Sequence, residues 1–327
     1  MPTVAVVFTG GTISMDFDPV AGGNVPTLDG AAILARTPGL ADIARVVPID
    51  RGLTPASHFT FADLLSLATV IEEAAMSGDV DGVVVVQGTD TIEETSFAWD
   101  LLHVGTSPVV VTGAMRASHE TPYDGPANLR DAVAVAAAPV ARGVGVVVTL
   151  AGTIEAADDV TKMHTTALDT FRSPNGGRLG RVEDATVTME RARGPRRTLA
   201  TSAASERVHL VTAGIATDGS LIDAAVAAGA EGIVVAATGS GNTAPGMLAA
   251  AGRAMASGIP VVLASRCPSG AVGTAYAFPG GGSTWVAAGA IPTGTLCAIK
   301  ARVALALGLG AGLSRDALTH LLADPEA

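Results

Sequence analysis

From residue 4 onward, short runs of β-branched residues alternate with alanine-rich segments whose apolar positions recur at helical spacing. Continuous apolar runs joined by amphipathic stretches are the pattern of parallel strands with crossover helices, so the fold class predicted is α/β. In the first part of the chain the strand candidates are residues 4–8, 82–86, 108–112 and 144–150, each bounded by Gly, Pro or charge. Between Met189 and Glu206 the periodicity lapses into Arg, Gly, Pro, Ser and Thr, and a second alternation follows. There residues 208–213, 232–236 and 260–264 read as strands, and the segments around 221–228 and 245–257 as helices. The pattern predicts a larger N-terminal domain over 1–188 with a mainly parallel sheet flanked by helices. A linker over 189–206 and a smaller α/β domain with a parallel sheet over 207–327 complete the expected organisation.

Composition narrows this picture. A chain of 327 residues exceeds what one ordinary core supports, in keeping with two domains. Hydrophobic residues make up 48% and aromatics only 3%, so Ala, Val, Leu and Ile must fill the interior, as in sheets buried under closely packed helices. The formal charge of -11 repels phosphate backbones and anionic lipid surfaces, which argues against nucleic-acid and membrane partners. Arg191, Arg193, Arg196 and Arg197 form one basic cluster, read as a solvated linker without function. The two cysteines, Cys267 and Cys297, have neither metal-ligand spacing nor the density of a disulfide framework, so no metal and no redox chemistry are expected. The uncharged stretch from 268 to 299 is broken by Gly and Pro throughout and reads as no membrane span. The first strand-like run lacks the pattern of a signal peptide, and a cytoplasmic location is the expectation.

In open parallel sheets ligands bind beyond the carboxyl ends of the strands, which directs attention to the polar residues placed there. Thr9, Gly10, Gly11, Thr12 and Ile13 follow the first run, with paired glycines that let the backbone turn sharply. Gln87, Gly88, Thr89, Asp90 and Thr91 follow the second and lead into an acidic helix start at Glu93 and Glu94. Farther on, Lys162 sits among hydroxyls and acids in Asp159, Val160 and Thr161, where a desolvated amine can serve a threonine hydroxyl as base. Taken singly, these segments have bland readings as a structural turn, a helix cap and a solvated charge.

Together, in order and spacing, they resemble the bacterial-type L-asparaginase and glutaminase family. The resemblance is carried by the opening TGGTI, by DGVVVVQGTDTIEETSFAWDLL from Asp81, by GAMR at Gly113 with DGPANL at Asp124, and by DVTK at Asp159. GSGNT at Gly239, SRCPSG at Ser265 and the KAR ending at Arg302 extend it through the second half. The resemblance implies an amidohydrolase without cofactor, cleaving L-asparagine to L-aspartate and ammonia by double displacement, with L-glutamine as a side substrate. It implies Thr12 as nucleophile and Thr89, Asp90 and Lys162 as the hydroxyl, carboxylate and amine facing it. Asp90 would hold the α-ammonium and Ser57 with His58 the α-carboxylate, while Gly88 and Ala114 would line the substrate. Asn242 would reach the site of a neighbouring subunit, implying an intimate dimer paired again into a tetramer.

Two departures from the family pattern stand out. Many members carry a tyrosine on the loop after the first motif, whereas residues 13–30 here contain none and Asn24 occupies that slot. An amide cannot copy a phenol's proton transfer. The second-domain glutamate that some members donate across the interface is absent from 271–280, and Tyr276 stands near its place, as a phenol toward Thr12 or as a packed interface residue. The segment 14–27 reads as a lid or as an ordered turn. A dinucleotide- or nucleoside-triphosphate-binding protein is disfavoured, since neither G-x-G-x-x-G nor a Walker lysine follows the first strand. A transfer-RNA amidotransferase subunit fits the acidic charge poorly. A non-catalytic amino-acid sensor that keeps the pocket is the remaining alternative.

Overall fold

Strands buried on both faces dominate the architecture, as the valine runs require: every residue of Gly82–Val86, Val109–Thr112 and Val146–Leu150 is buried. A computed structural model describes residues 1–323, so the end of the 207–327 expectation lies outside the described residues. Contacts divide the chain into two units, Met1–Thr198 and Leu199–Ala327. In the first, the strands are β1 (Thr3–Phe8), β2 (Met15–Asp18), β3 (Gly23–Pro26), β4 (Arg45–Asp50), β5 (Gly82–Val86) and β6 (Val109–Thr112). They continue with β7 (Val146–Leu150), β8 (Thr153–Ala156), β9 (Thr161–Lys162), β10 (Phe171–Arg172), β11 (Gly180–Glu183) and β12 (Thr186–Met189). The second contributes β13 (Val208–Thr212), β14 (Gly232–Ala237), β15 (Val261–Ser265) and β16 (Ile291–Pro292).

The large sheet has the order β12-β11-β8-β7-β6-β5-β1-β4, parallel from β7 through β4 and antiparallel at the β7–β8, β8–β11 and β11–β12 pairings. Because β1 is flanked by β4 on one side and β5 on the other, the chain reverses its direction of winding there, and a crevice opens above β1 and β5. Helix Gly125–Ala137 covers one face, laying Leu129 and Val133 into the same core as Val84, Val110 and Val147. In the second unit, β13-β14-β15-β16 form an all-parallel sheet. Its core joins Ile233, Val235 and Leu263 to Ile222, Met247 and Trp285. No helix among the described residues is long and apolar enough to cross a membrane.

The segment 14–27 forms the antiparallel hairpin β2–β3, with Asn24 opposite Phe17. Its turn is shaped by Asp18 Oδ1, which accepts hydrogen bonds from the Val20 and Ala21 amides.

The basic cluster departs from its reading as a solvated linker. The Arg193 guanidinium donates to both carboxylate oxygens of Asp100 at 3.0 and 2.7 Å and to Asp158 at 2.9 Å, and its side chain is only 6% exposed. Arg196 adds bonds to Asp100 and to the carbonyls of Asp100 and His103 at the end of helix Ile92–Leu102. The cause is Asp100 itself: a carboxylate 3% exposed must be matched by opposite charge and by hydrogen bonds. Burial alone lowers the Arg193 guanidinium, and the charges of Asp100 and Asp158 overcome that, leaving its pKa raised.

Candidate active site

The turn after β1 is forced by its glycines. Gly10 and Gly11 have φ of 106° and 93°, a region that L side chains rarely adopt. A Cβ at Gly11 would lie 2.1 Å from the Gly88 nitrogen, so the loops after β1 and β5 touch backbone to backbone. Thr9 joins them from below, its amide and its hydroxyl both donating to the Val86 carbonyl at 3.0 and 3.1 Å. Thr12 then opens a short 3-10 turn, Thr12–Ser14, locked by Ser14 Oγ on the Gly11 carbonyl at 2.6 Å.

On the loop that follows β5, Thr89 Oγ1 and Asp90 Oδ1 accept hydrogen bonds from Lys162 Nζ at 3.0 and 2.8 Å. Thr89 is buried and the Asp90 side chain is 72% exposed, so the cluster is closed beneath and open above. An ion pair this open contributes at most about 1 kcal/mol to stability. Its geometry is therefore better explained by what it faces than by what it holds together. Helix Ile92–Leu102 starts just beyond, and its amino end favours negative charge developing near Thr89.

Ser57 and His58 lie exposed on the 3-10 turn Ala56–His58, which is fastened to the same loop by Thr91 Oγ1 donating to the Ala56 carbonyl at 3.2 Å. Ala114 is fully buried after β6. The backbone beside it is fixed by Asn128 Nδ2 on the Gly113 carbonyl at 3.0 Å and by Asp124, which accepts from the Met115 and Arg116 amides. Thr12, Ser57, His58, Gly88, Thr89, Asp90, Ala114 and Lys162 thus all belong to the first unit, on or beside the loops that follow β1, β5 and β6.

Asn242 and Tyr276 belong to the second unit. Asn242 bridges to Thr238 in the turn after β14, and its side-chain Oδ1 is buried without a hydrogen-bond partner. Tyr276 is 47% exposed, its ring 5.8 Å from that of Phe278. The other tyrosine of the chain, Tyr123, was not among the expected site residues, yet its hydroxyl donates to the Ile13 carbonyl at 2.7 Å, one residue beyond Thr12.

Fold and geometry together define an α/β protein that holds a lysine hydrogen-bonded to a threonine hydroxyl and a carboxylate beside the loop that follows an inner strand of a mainly parallel sheet. Residues 3–194 match the family model "Asparaginase, N-terminal" and residues 207–322 the "Glutaminase/Asparaginase C-terminal domain". The chain is 38% identical over 322 residues to a protein of Deinococcus radiodurans described as a probable L-asparaginase, covering 97% of this chain and 95% of that one. It is 34% identical over 281 residues to L-asparaginase 2 of Bacillus subtilis, covering 83% and 75%. A crystal structure described as a probable cytoplasmic L-asparaginase from Campylobacter jejuni superposes with a TM-score of 0.84 at 28% identity, over 94% of this chain and 95% of that one. The chain belongs to the bacterial-type asparaginase family.

Proposed function

We propose that the protein hydrolyses L-asparagine to L-aspartate and ammonia, with L-glutamine as a slower substrate, through a threonine acyl-enzyme. The observation that carries this reading is the bridge from Lys162 to Thr89 and Asp90, on the loop whose Gly88 abuts Gly11 of the Gly10–Gly11–Thr12 turn. In the first step the Thr12 oxygen bonds to the carboxamide carbon and its proton passes to a neighbouring acceptor. The carbonyl electrons move onto oxygen, where backbone amides of the glycine turns stabilise them. The tetrahedral species collapses, the C–N bond breaks, and the departing nitrogen takes up the proton as ammonia. Water then adds to the ester, and Thr12 leaves with its proton restored. Asp90, exposed at the mouth, receives the α-ammonium, and Ser57 with His58 the α-carboxylate. Gly88 and Ala114 line the substrate.

Support for a cytoplasmic location comes from the description of the Campylobacter neighbour. The match of both halves of the chain to the family's two domain models supports carrying over a dimer in which Asn242 meets the substrate of a neighbouring copy, the dimers pairing into a tetramer. Tyr276 is the second residue assigned to that shared site.

The test is ammonia release from L-asparagine and L-glutamine, with Thr12→Ala as control. Turnover of asparagine that falls at least about 10³-fold in the variant is expected. Folded wild-type protein that binds L-aspartate by calorimetry yet releases no ammonia would replace the enzyme with an amino-acid sensor.

A further inference from the structure

The backbone carbonyls of the nucleophile turn are each satisfied, and one of them differs from the rest. Gly11 O accepts from Ser14, Thr12 O from the Met15 amide, and Ser14 O from the Thr27 and Leu28 amides, all within a single stretch of chain. Ile13 O is met instead by the phenol of Tyr123, 110 positions further on, at 2.7 Å. Ile13 is fully buried, so without that phenol its carbonyl would face the core without water to replace it.

Tyr123 is itself held firmly. Its neighbour Asp124 accepts from the Met115 amide at 2.9 Å, the Arg116 amide at 3.0 Å and Asn128 Nδ2 at 2.9 Å, which ties the phenol's segment to the loop beyond β6. The ring lies over Gly125, where a Cβ would come 2.5 Å from both Cζ and Oη. The same loop touches the hairpin again through the Ser118 amide on the Met15 carbonyl at 3.0 Å, and through His119, 3.4 Å from Asp16 and edge-on to Phe17.

We propose that Tyr123 is a positioning residue for Thr12: its hydroxyl fixes the Ile13 carbonyl and so sets the angle at which the threonine faces the substrate. This rests on the reading of Thr12 as nucleophile. The phenol acts as a donor and not as the proton acceptor of the attack, because its hydrogen points at a carbonyl. Burial, aided by the Asp124 charge, also pushes its pKa up to about 12, so it stays un-ionised at working pH.

Tyr123→Phe keeps the ring and removes only the hydroxyl. The expected result is a kcat for L-asparagine reduced about ten- to a hundredfold, with KM within about twofold of wild type and the pH profile unchanged in shape. Hydrogen exchange at the Ser14 and Met15 amides should quicken in the folded variant. An unchanged kcat, a loss of activity that tracks a lowered melting temperature, or unaltered exchange at these amides would each overturn the proposal. A changed pH profile would overturn it as well, by making the phenol a participant in proton transfer. Wild-type protein that leaves asparagine intact would remove the nucleophile reading instead, and the exchange measurement would still decide whether Tyr123 holds the turn.

Discussion

Asp131 shows how a single side chain can work against the fold that contains it. It is half-buried in helix Gly125–Ala137, and burial pushes its carboxyl up to about 6 despite the charge of Arg130. The folded state therefore keeps a proton that the unfolded chain releases near pH 4. Stability contributed by the protonated form is complete below about pH 4 and is lost as pH rises through 6. Asp131→Asn should accordingly melt higher than wild type at pH 7 and level with it near pH 4, which thermal denaturation at the two pH values will show. The residues proposed to bear the chemistry are singled out by a family pattern and not by their own surroundings. Thr12, Thr89, Asp90 and Lys162 are polar groups at the ends of apolar runs or among hydroxyls, each open to a bland reading alone and marked only by the order and spacing in which their segments recur. Tyr123 was not legible. It sits between GAMR and DGPANL in a stretch without period, and nothing local says that its ring reaches back to residue 13.

Among elements, the inner parallel strands β5, β6 and β7 can be read nearly to the residue because burial on both faces writes them as unbroken valine runs. β4 was missed: its burial alternates irregularly and it contains Pro48, which an edge strand tolerates and an inner one does not. The antiparallel margin of β8, β11 and β12 was missed as well, four residues each and polar enough to pass for loop. Helix Ala298–Gly310 is buried almost all round and so lacks the polar stripe that reveals a helix. The arginine cluster was read as solvent-facing because sequence cannot show that Asp100, a helical residue, turns inward. Arg193→Met removes the bidentate partner of that carboxylate and should destabilise the first unit by about 3 to 5 kcal/mol, read as a lowered urea midpoint. Arg196 remains on Asp100 in that variant, which favours the lower end of the range.

For the whole molecule, the proposed shared site makes a prediction that no single chain can meet. Thr12→Ala and Asn242→Ala proteins should each be nearly inactive. When they are unfolded together and reassociated, half of the dimers are hybrids carrying one site with both residues intact. About a quarter of wild-type turnover should return if the dimer is intimate. No recovery above the two parents would mean that each chain completes its own site. The position of β1 bears on how such a molecule comes into being. Thr9 bonds to Val86 across 77 positions, so the Thr12 turn takes its shape only when β5 has paired beside it. Closing so long a loop is slow compared with forming a helix, although the entropy involved grows only logarithmically with length. During synthesis, Thr12 leaves the ribosome well before Gly88 and Lys162 can meet it. On the proposed mechanism, amide cleavage is thus switched on by the closing of the sheet, and a half-made chain carries the proposed nucleophile without the means to use it.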